Sequence, residues 1–187
     1  MAETLKVYMA RVFSAIDVQN DKLLDELAEV RDRMDLGFSP VEKEKMHITL
    51  QFFRDIDEED IDELKGAMEK INLDPFTAEA SGVGCFPSRE YIRVIWAGLN
   101  QEEKFHRIYN QLSSHTVASD NKHDFKPHIT LMRVKDVGKN EKRKLQKMVR
   151  EFENHYFSEL EVSKVKLFRS DLKQGGSRYR ELHSYDL

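Results

Sequence analysis

The sequence predicts an α+β fold of two related lobes, in which antiparallel sheets line a central cleft and helices pack outside them. Three observations predict it. Pairs of consecutive strands interrupt the alternation of predicted strands and helices, which favours antiparallel pairing. The tetrapeptide His-Ile-Thr-Leu occurs at 47–50 and again at 128–131, each time within a predicted strand. No linker or low-complexity stretch separates the halves, so residues 1–187 are expected to form one domain of two pseudo-symmetric lobes.

The first lobe is predicted to begin with strand, helix, strand and helix. Residues 5–16 are rich in β-branched and aromatic side chains, which favours a strand, and residues 46–53 have the same character. Apolar residues recur at helical spacing over 20–35 and 57–71, which predicts two amphipathic helices. The first turn of the second helix is acidic, and negative charge there suits the helix dipole.

The remaining elements follow after Pro75, which interrupts the chain. The most strongly β-like segment is 91–98, and it is expected to pair with the strand before it. In chain order, the predicted elements are strands at 76–85 and 91–98, a helix at 101–117, a strand at 127–134, a helix at 139–154, and strands at 158–169 and 179–186. A loop containing Gly175 and Gly176 is expected to join the last two strands.

Composition restricts the function. The net charge of −4 argues against a general grip on nucleic acid, but residues 1–100 carry −9 and residues 101–187 carry +5, so an anionic ligand would prefer the second half. No apolar run reaches the roughly 20 residues of a membrane-spanning helix, and no membrane partner is expected. The single cysteine, Cys85, excludes an internal disulfide and fits a reducing cytoplasm. We expect a cytoplasmic monomer.

The repeated tetrapeptide predicts a catalytic pair. Side chains alternate along a strand, so His47 and Thr49 share one face, as do His128 and Thr130, while the isoleucines and leucines pack against the helices. Imidazole titrates near pH ~6.5, so one histidine can accept a proton and the other donate one in opening a phosphodiester. The threonine hydroxyls can donate hydrogen bonds to phosphate oxygens.

Arg133 is the candidate for neutralising charge on the phosphate. Arg133 follows His128 by five residues, so alternation alone places it on the opposite face, and a bulge or the strand end is needed to turn it towards the phosphate.

Two histidines could bind zinc, but a catalytic zinc usually has three protein ligands, and no acidic residue or histidine recurs at matching offsets. We therefore expect no metal and no cofactor. The other histidines are interpreted as surface or helix residues: His106, His115, His123, His155 and His183.

Five segments in this order resemble a known family: 11–17, 46–53, 82–87, 93–99 and 125–133. They are similar to the two-histidine (2H) phosphoesterase superfamily, and more narrowly to its RNA 2′,3′-cyclic phosphodiesterases, also called 2′-5′ RNA ligases or LigT-like proteins. The resemblance covers nearly the whole chain. It implies the bilobal pseudo-twofold fold with a central cleft and no metal.

The resemblance also implies an activity and roles for residues. RNA ends carrying a 2′,3′-cyclic phosphate would be hydrolysed to 2′-phosphate ends, and some members run the reverse reaction to join tRNA halves through a 2′-5′ bond. In that scheme His128, with Arg133, positions and deprotonates water, and His47 protonates the departing 3′-oxygen. Thr49 and Thr130 hold the phosphate.

Contacts to the rest of the RNA are expected from aromatic and basic residues. Phe52 or Phe53 could stack on the terminal base. The basic loop that carries Lys173, Arg178 and Arg180 is a candidate for contact with RNA phosphates. Three alternatives stay open at this point: a phosphodiesterase of small cyclic nucleotides, an exonuclease of RNA 3′ ends, and a non-catalytic module that binds RNA ends.

Overall fold

In the computed structural model, residues 10–34, 36–114, 124–135, 138–173 and 176–187 are described, and all structural statements below concern these ranges. They form nine strands and four α-helices, and a short 3-10 helix lies at Lys43–Lys45. In chain order these are β1 Ala10–Asp17, α1 Asp21–Arg33, β2 Ser39–Pro40, β3 His47–Ile56, α2 Glu58–Met68, β4 Phe76–Ser88, β5 Tyr91–Leu99, α3 Glu102–Ser113, β6 His128–Arg133, α4 Lys139–Glu151, β7 Tyr156–Val162, β8 Lys164–Lys173 and β9 Gly176–Asp186.

The four predicted helices are confirmed, and each begins within one residue of its predicted start. Two have side-chain caps. The Asn20 side chain accepts a hydrogen bond from the backbone N–H of Leu23 at 3.1 Å, which satisfies one of the free donors at the start of α1. Asp57 and Asp60 form a reciprocal capping box at the start of α2.

The strands form one antiparallel sheet with the order β7-β4-β5-β6-β3-β1-β8-β9, and β2 pairs with β6. The two strands with the repeated tetrapeptide, β3 and β6, are therefore neighbours at its centre. Each is flanked by three further strands, namely β1, β8 and β9 on one side and β5, β4 and β7 on the other. The predicted α+β class with antiparallel pairing is confirmed. That the two halves fold as one domain stays a prediction.

The prediction of one strand over 158–169 is wrong. The segment divides at Ser163 into β7, which pairs with β4, and β8, which pairs with β1, so the two pieces belong to opposite halves of the sheet. Both pieces are rich in residues that favour strands, and their composition hides the break. The burial pattern records it, because from Ser158 to Val162 the buried residues have even numbers, whereas from Val165 they have odd numbers.

Other differences lie at the ends of elements. The two-residue strand β2 is not predicted, and β4 extends three residues further than expected. Residues 5–9 of the first predicted strand, 115–117 of the third predicted helix and Gly175 of the last predicted loop lie outside the described residues. No helix in the described ranges is long and apolar enough to cross a membrane.

The apolar face of the central strands carries the core. Ile48, Leu50, Ile129 and Leu131 are each at most 3% exposed, as the alternation along the strands predicts. The intervening histidines and threonines are only half-buried. The polar side chains of both repeats thus lie on the face of the sheet away from the hydrophobic core.

Candidate active site

The two repeats lie side by side in an antiparallel register. Ile48 is paired directly with Ile129 at the contact between β3 and β6. Continuing this register by one residue in each direction sets His47 opposite Thr130 and Thr49 opposite His128. Each histidine therefore has the threonine of the other repeat as its neighbour across the strands.

A bulge lies at the last residue of each repeat. The partners of Ala15 and Ser14 on β3 are Thr49 and Gln51, so Leu50 is passed over. On β6, Thr130 and Met132 are the partners of consecutive residues on β5, and Leu131 is passed over. The two bulges thus occur at the same position after each histidine. Each bulge shifts the alternation of the side chains that follow it by one residue.

The residues five positions after each histidine therefore return to the polar face. On β6 this residue is Arg133, and on β3 it is Phe52. The bulge that Arg133 requires in order to face the phosphate is present. Phe52 is 47% exposed, whereas Phe53 is 1% exposed and packs in the core, so Phe52 is the candidate of the two for contact with a base.

Both imidazoles are oriented by the same hydrogen bond. Nδ1 of His47 lies 2.8 Å from the carbonyl oxygen of Lys45, and Nδ1 of His128 lies 2.7 Å from that of Lys126. A carbonyl oxygen only accepts, so Nδ1 must carry the hydrogen in each ring. In the neutral form each Nε2 then keeps its lone pair for proton transfer.

The His47 ring packs among aromatic residues of the first half. It stacks on Phe13 with 5.1 Å between ring centroids, and its centroid lies 5.6 Å from that of Tyr179 in an edge-on contact. Phe13 in turn contacts Tyr179 at 4.9 Å and Phe168 at 5.3 Å. This cluster joins β1, β8 and β9 beneath the imidazole and fixes its position.

The His128 ring rests on a different aromatic pair. Its centroid lies 5.1 Å from that of Phe86 and 6.1 Å from that of Trp96. The Lys126 Nζ lies 4.7 Å from the Trp96 ring centroid, an attractive cation–π contact. Trp96 lies so close to Gly84 that a Cβ added there would be 2.3 Å from its Cζ2 atom, and only glycine leaves room for the indole.

Burial lowers the pKa of His47, because the charged ring would lose hydration. The hydrogen bond to the Lys45 carbonyl and the negative charge of Asp17 oppose this effect, while the charges of Arg133 and His128 add to it. Burial also lowers the pKa of His128. There the Lys126 carbonyl is the opposing group, and the charges of Arg133 and Lys126 lower the pKa further.

Asp17 is paired with His47 across β1 and β3 and belongs to a small ionic network. Its carboxylate lies 2.8 Å from the Lys166 Nζ, which also lies 2.9 Å from the Glu181 carboxylate. The pKa of both histidines is lowered in the free protein, and among the described residues the Asp17 carboxylate opposes this effect at His47. An anionic ligand between the rings would favour the protonated form of one of them.

A cavity of about 740 Å³ lies on the polar face. Of the predicted site residues, it is lined by His47, Thr49, Phe52, Phe53, Thr130 and Arg133. His128 does not line this cavity. It lies opposite Thr49, which does, in the register of β3 and β6. The cationic side chains Arg11, Lys45 and Lys135 also face the cavity, which suits an anionic ligand.

The predicted basic side chains Arg178 and Arg180 do not line this cavity, and contact between the basic loop and RNA phosphates stays a prediction. Ser177 and Tyr179 of β9 line the cavity, whereas the alternating residues Arg178 and Arg180 are exposed and absent from its lining. Lys173 ends β8, and its side chain is not among those that the structure describes. Sequence reasoning missed Tyr179, although its spacing from Ser177 already places these two on one face.

The other histidines that the structure describes lie apart from the site. His106 contacts Phe125, His155 contacts Phe152 and Phe157, and His183 lies 3.9 Å from Glu69. His115 and His123 lie outside the described residues. Among the residues that are described, no three histidine, cysteine, aspartate or glutamate side chains cluster as metal ligands would.

Comparison with known proteins supports the family resemblance. The family model described as LigT like Phosphoesterase matches residues 16–96 and 98–179. The RNA 2′,3′-cyclic phosphodiesterase of Methanocaldococcus jannaschii is 31% identical over 179 residues, covering 94% of this chain and 99% of the relative. A protein of the same name from Methanothermobacter thermautotrophicus is 30% identical over 184 residues, covering 95% and 98%.

Solved structures share the fold. A protein of Thermus thermophilus superposes with a TM-score of 0.77 at 26% identity, covering 95% of this chain and 97% of that one. Escherichia coli LigT complexed with 3′-AMP superposes with a TM-score of 0.75 at 21% identity, covering 96% and 98%. Each superposition therefore covers at least 95% of this chain.

Proposed function

This chain belongs to the LigT-like phosphoesterase family, and we propose that it hydrolyses the 2′,3′-cyclic phosphate at RNA ends to a 2′-phosphate. In the reaction, the oxygen of a water molecule forms a bond to phosphorus while the bond between phosphorus and the 3′-oxygen breaks. One proton must leave the water and one must reach the 3′-oxygen. Two positioned imidazoles serve these two transfers.

The paired hydrogen bonds to the histidines carry this proposal. Because the carbonyls of Lys45 and Lys126 fix Nδ1–H in both rings, each ring keeps the lone pair of Nε2 for proton transfer. Among the described residues, the charged groups that affect His128 are the cations Arg133 and Lys126, which lower its pKa and suit it to accept the proton of water. His47 has Asp17 nearby, which favours its protonated form and suits it to donate to the 3′-oxygen.

The remaining polar residues bind the phosphate. The Thr49 and Thr130 hydroxyls donate hydrogen bonds to its non-bridging oxygens, and Arg133 neutralises the charge that develops on them. Phe52, which is exposed, stacks on the terminal base. The chain needs no metal in this scheme, because the proton transfers and the charge stabilisation are supplied by side chains.

The same site also joins RNA when a 5′-hydroxyl takes the place of water. Its oxygen then forms the new bond to phosphorus, the 3′-oxygen leaves, and the product is a 2′-5′ linkage. We propose cytoplasmic RNA processing as the setting, with tRNA halves among the substrates and the protein acting as a monomer.

Substitution of each histidine tests the proposal. We expect His47→Ala and His128→Ala each to reduce hydrolysis of an RNA with a 2′,3′-cyclic phosphate end by at least about 100-fold, with unchanged circular dichroism. His155→Ala, in an exposed histidine outside the cavity, is the matched control and should retain full activity. Wild-type turnover by either of the first two variants would refute the mechanism.

The product and the metal requirement separate the alternatives. We expect a 2′-phosphate product, formed at the same rate in the presence of EDTA. Release of nucleotides from an RNA without the cyclic phosphate would instead indicate an exonuclease. Hydrolysis of nucleoside cyclic phosphates alone would indicate a small-molecule phosphodiesterase, and tight binding of the RNA end without turnover would indicate a binding module.

A further inference from the structure

The helices that follow the two repeat strands have opposite charge. Helix α2, after β3, contains five acidic residues and one lysine. Helix α4, after β6, contains six basic residues and two glutamates. The two helices occupy equivalent places in the two halves of the chain. Their difference therefore marks the half that carries His128 as the side that attracts a polyanion.

Four of the cations on α4 form an outward-facing stripe. Lys139, Arg143, Lys147 and Arg150 are separated by four, four and three residues, which places them along one side of the helix. All four are exposed. On the opposite side of the helix, Leu145 and Val149 are 0% exposed and pack in the core.

The charge of this stripe is not balanced by the protein. Within the described part of the chain, none of the four cations lies within ion-pair distance of a carboxylate, whereas Glu151 of the same helix pairs with Arg33 at 3.6 Å. Free cations in a row favour a ligand with regularly repeated negative charge. The phosphates of an RNA strand provide it.

The start of α4, where the stripe begins, is connected to the catalytic cavity. A second cavity of about 260 Å³ is lined by Gly138 and Glu141 at the start of α4 and by Ser39 and Lys135. Ser39 and Lys135 also line the cavity that holds His47 and Arg133. A strand whose 3′ end lies at the histidines can therefore leave past Lys135 and reach the first turn of α4.

We propose that the basic stripe of α4 binds the phosphates of the RNA body upstream of the cyclic end, which makes longer RNAs better substrates. This inference rests on the proposed function and identifies its substrate class as RNA strands longer than a few nucleotides. A membrane surface is disfavoured as the partner, because the apolar face of α4 is buried in the core and cannot insert into lipid.

Neutralisation of the stripe tests the inference. The test variant changes four residues to glutamine, a good helix former: Lys139, Arg143, Lys147 and Arg150. The matched control removes the same number of cations from α1, α2, the turn after α2 and α3, and so has the same net charge. It changes Lys22, Lys65, Lys70 and Arg107 to glutamine.

Two substrates are compared, a long RNA with a 2′,3′-cyclic phosphate end and a nucleoside 2′,3′-cyclic phosphate. For the stripe variant we expect KM for the long RNA to rise at least about tenfold at low salt, with kcat unchanged. The slope of log KM against log salt should fall by about 0.7 for each phosphate that the protein no longer neutralises. Turnover of the nucleoside substrate should not change, and the control should behave as wild type.

Binding of a long RNA with an ordinary 3′-hydroxyl end, measured by fluorescence anisotropy, makes the outcome independent of catalysis. If binding is weaker in the stripe variant but not in the control, the inference is supported, even if the wild type hydrolyses neither substrate. Absence of hydrolysis by the wild type would refute only the proposed function. Equal binding and equal KM for the stripe variant and the control overturn the inference. So does unchanged RNA binding combined with a loss of binding to vesicles containing phosphatidylserine.

Discussion

His47 and His128 are held alike but stand in different surroundings. Each donates Nδ1–H to the carbonyl two residues earlier, and each is followed by a threonine and a bulge. Across the neighbouring strand, however, His47 is paired with Asp17 and His128 with Gly98. A Cβ at position 98 would lie 2.8 Å from the Ser81 carbonyl oxygen, so that position excludes a carboxylate.

These different surroundings explain how one repeated motif can perform two opposite proton transfers. The shared hydrogen bonds give both rings the same geometry. The neighbours that differ then shift the pKa of each ring in opposite directions, with the Asp17 carboxylate beside His47 and the Lys126 cation beside His128, while Arg133 lowers the pKa of both. Two imidazoles with the same geometry are thereby suited to different roles in the proposed mechanism, His47 as the acid and His128 as the base.

The two halves differ most at the fifth residue after each histidine, and substitution there should have the largest effect on catalysis. We expect Arg133→Gln to reduce kcat by about 100- to 1,000-fold, because a positive group that stabilises the phosphoryl charge is removed. Phe52→Leu at the equivalent position should instead raise KM by roughly tenfold or more, with kcat nearly unchanged, since base stacking is removed. Steady-state kinetics on a short RNA separates the two.

Arg133→Lys keeps the charge but not the planar, forked donors, and we expect it to recover only part of kcat. If Arg133→Gln changed KM alone, Arg133 would contact the RNA without acting in the transition state. The contrast between the two halves would then lie in substrate binding and not in chemistry.

Much of this site can be predicted from the chain itself, and the parts that cannot have physical causes. The repeat and strand alternation place the polar pairs on one face, because a period of two is a local property. The direction of Arg133 could be stated only as a condition, since the bulge at Leu131 arises from pairing with a distant strand. The supports under the rings, Phe13 and Trp96, come from other strands and have no local signal.

The break at Ser163 and the role of β9 have a similar cause. Strand propensity is continuous through β7 and β8, and the choice of different partners for each is a property of the whole sheet. Basic residues in β9 were the obvious candidates for an anionic ligand. The alternation of that strand sends Ser177 and Tyr179 to the cavity and leaves Arg178 and Arg180 outside it.

The supports beneath the two rings provide a second contrast. Trp96, under His128, requires the absence of a side chain at Gly84. We expect Gly84→Ala to lower the free energy of unfolding by about 1–3 kcal/mol, because the indole must move from its packed position. Gly66→Ala in α2, where an added Cβ meets nothing within 4 Å, is the control and should be neutral or stabilising. Urea unfolding monitored by tryptophan fluorescence measures both.

Gly84→Ala should also reduce the kcat of the folded enzyme, since His128 rests partly on the displaced ring. A folded variant with wild-type turnover would mean that Trp96 supports the sheet but does not position His128.

The third contrast, Asp17 against Gly98, should give the smallest effect on rate and the clearest effect on pH dependence. In the free enzyme, loss of the protonated acid sets the fall of kcat/KM at high pH, and protonation of the base sets the fall at low pH. The carboxylate of Asp17 raises the pKa of His47. Asp17→Asn removes that charge, so the pKa of His47 falls and the high-pH limb moves to lower pH.

The low-pH limb should stay in place, because Asp17 is not among the groups that affect the pKa of His128. Lys166→Gln, which removes the cation paired with Asp17, should move the high-pH limb in the opposite direction. Arg133 and His128 also face His47 and are unchanged in both variants. A merely structural role for Asp17 would lower kcat/KM equally at every pH. Movement of the low-pH limb in Asp17→Asn would instead assign His47 as the base and His128 as the acid.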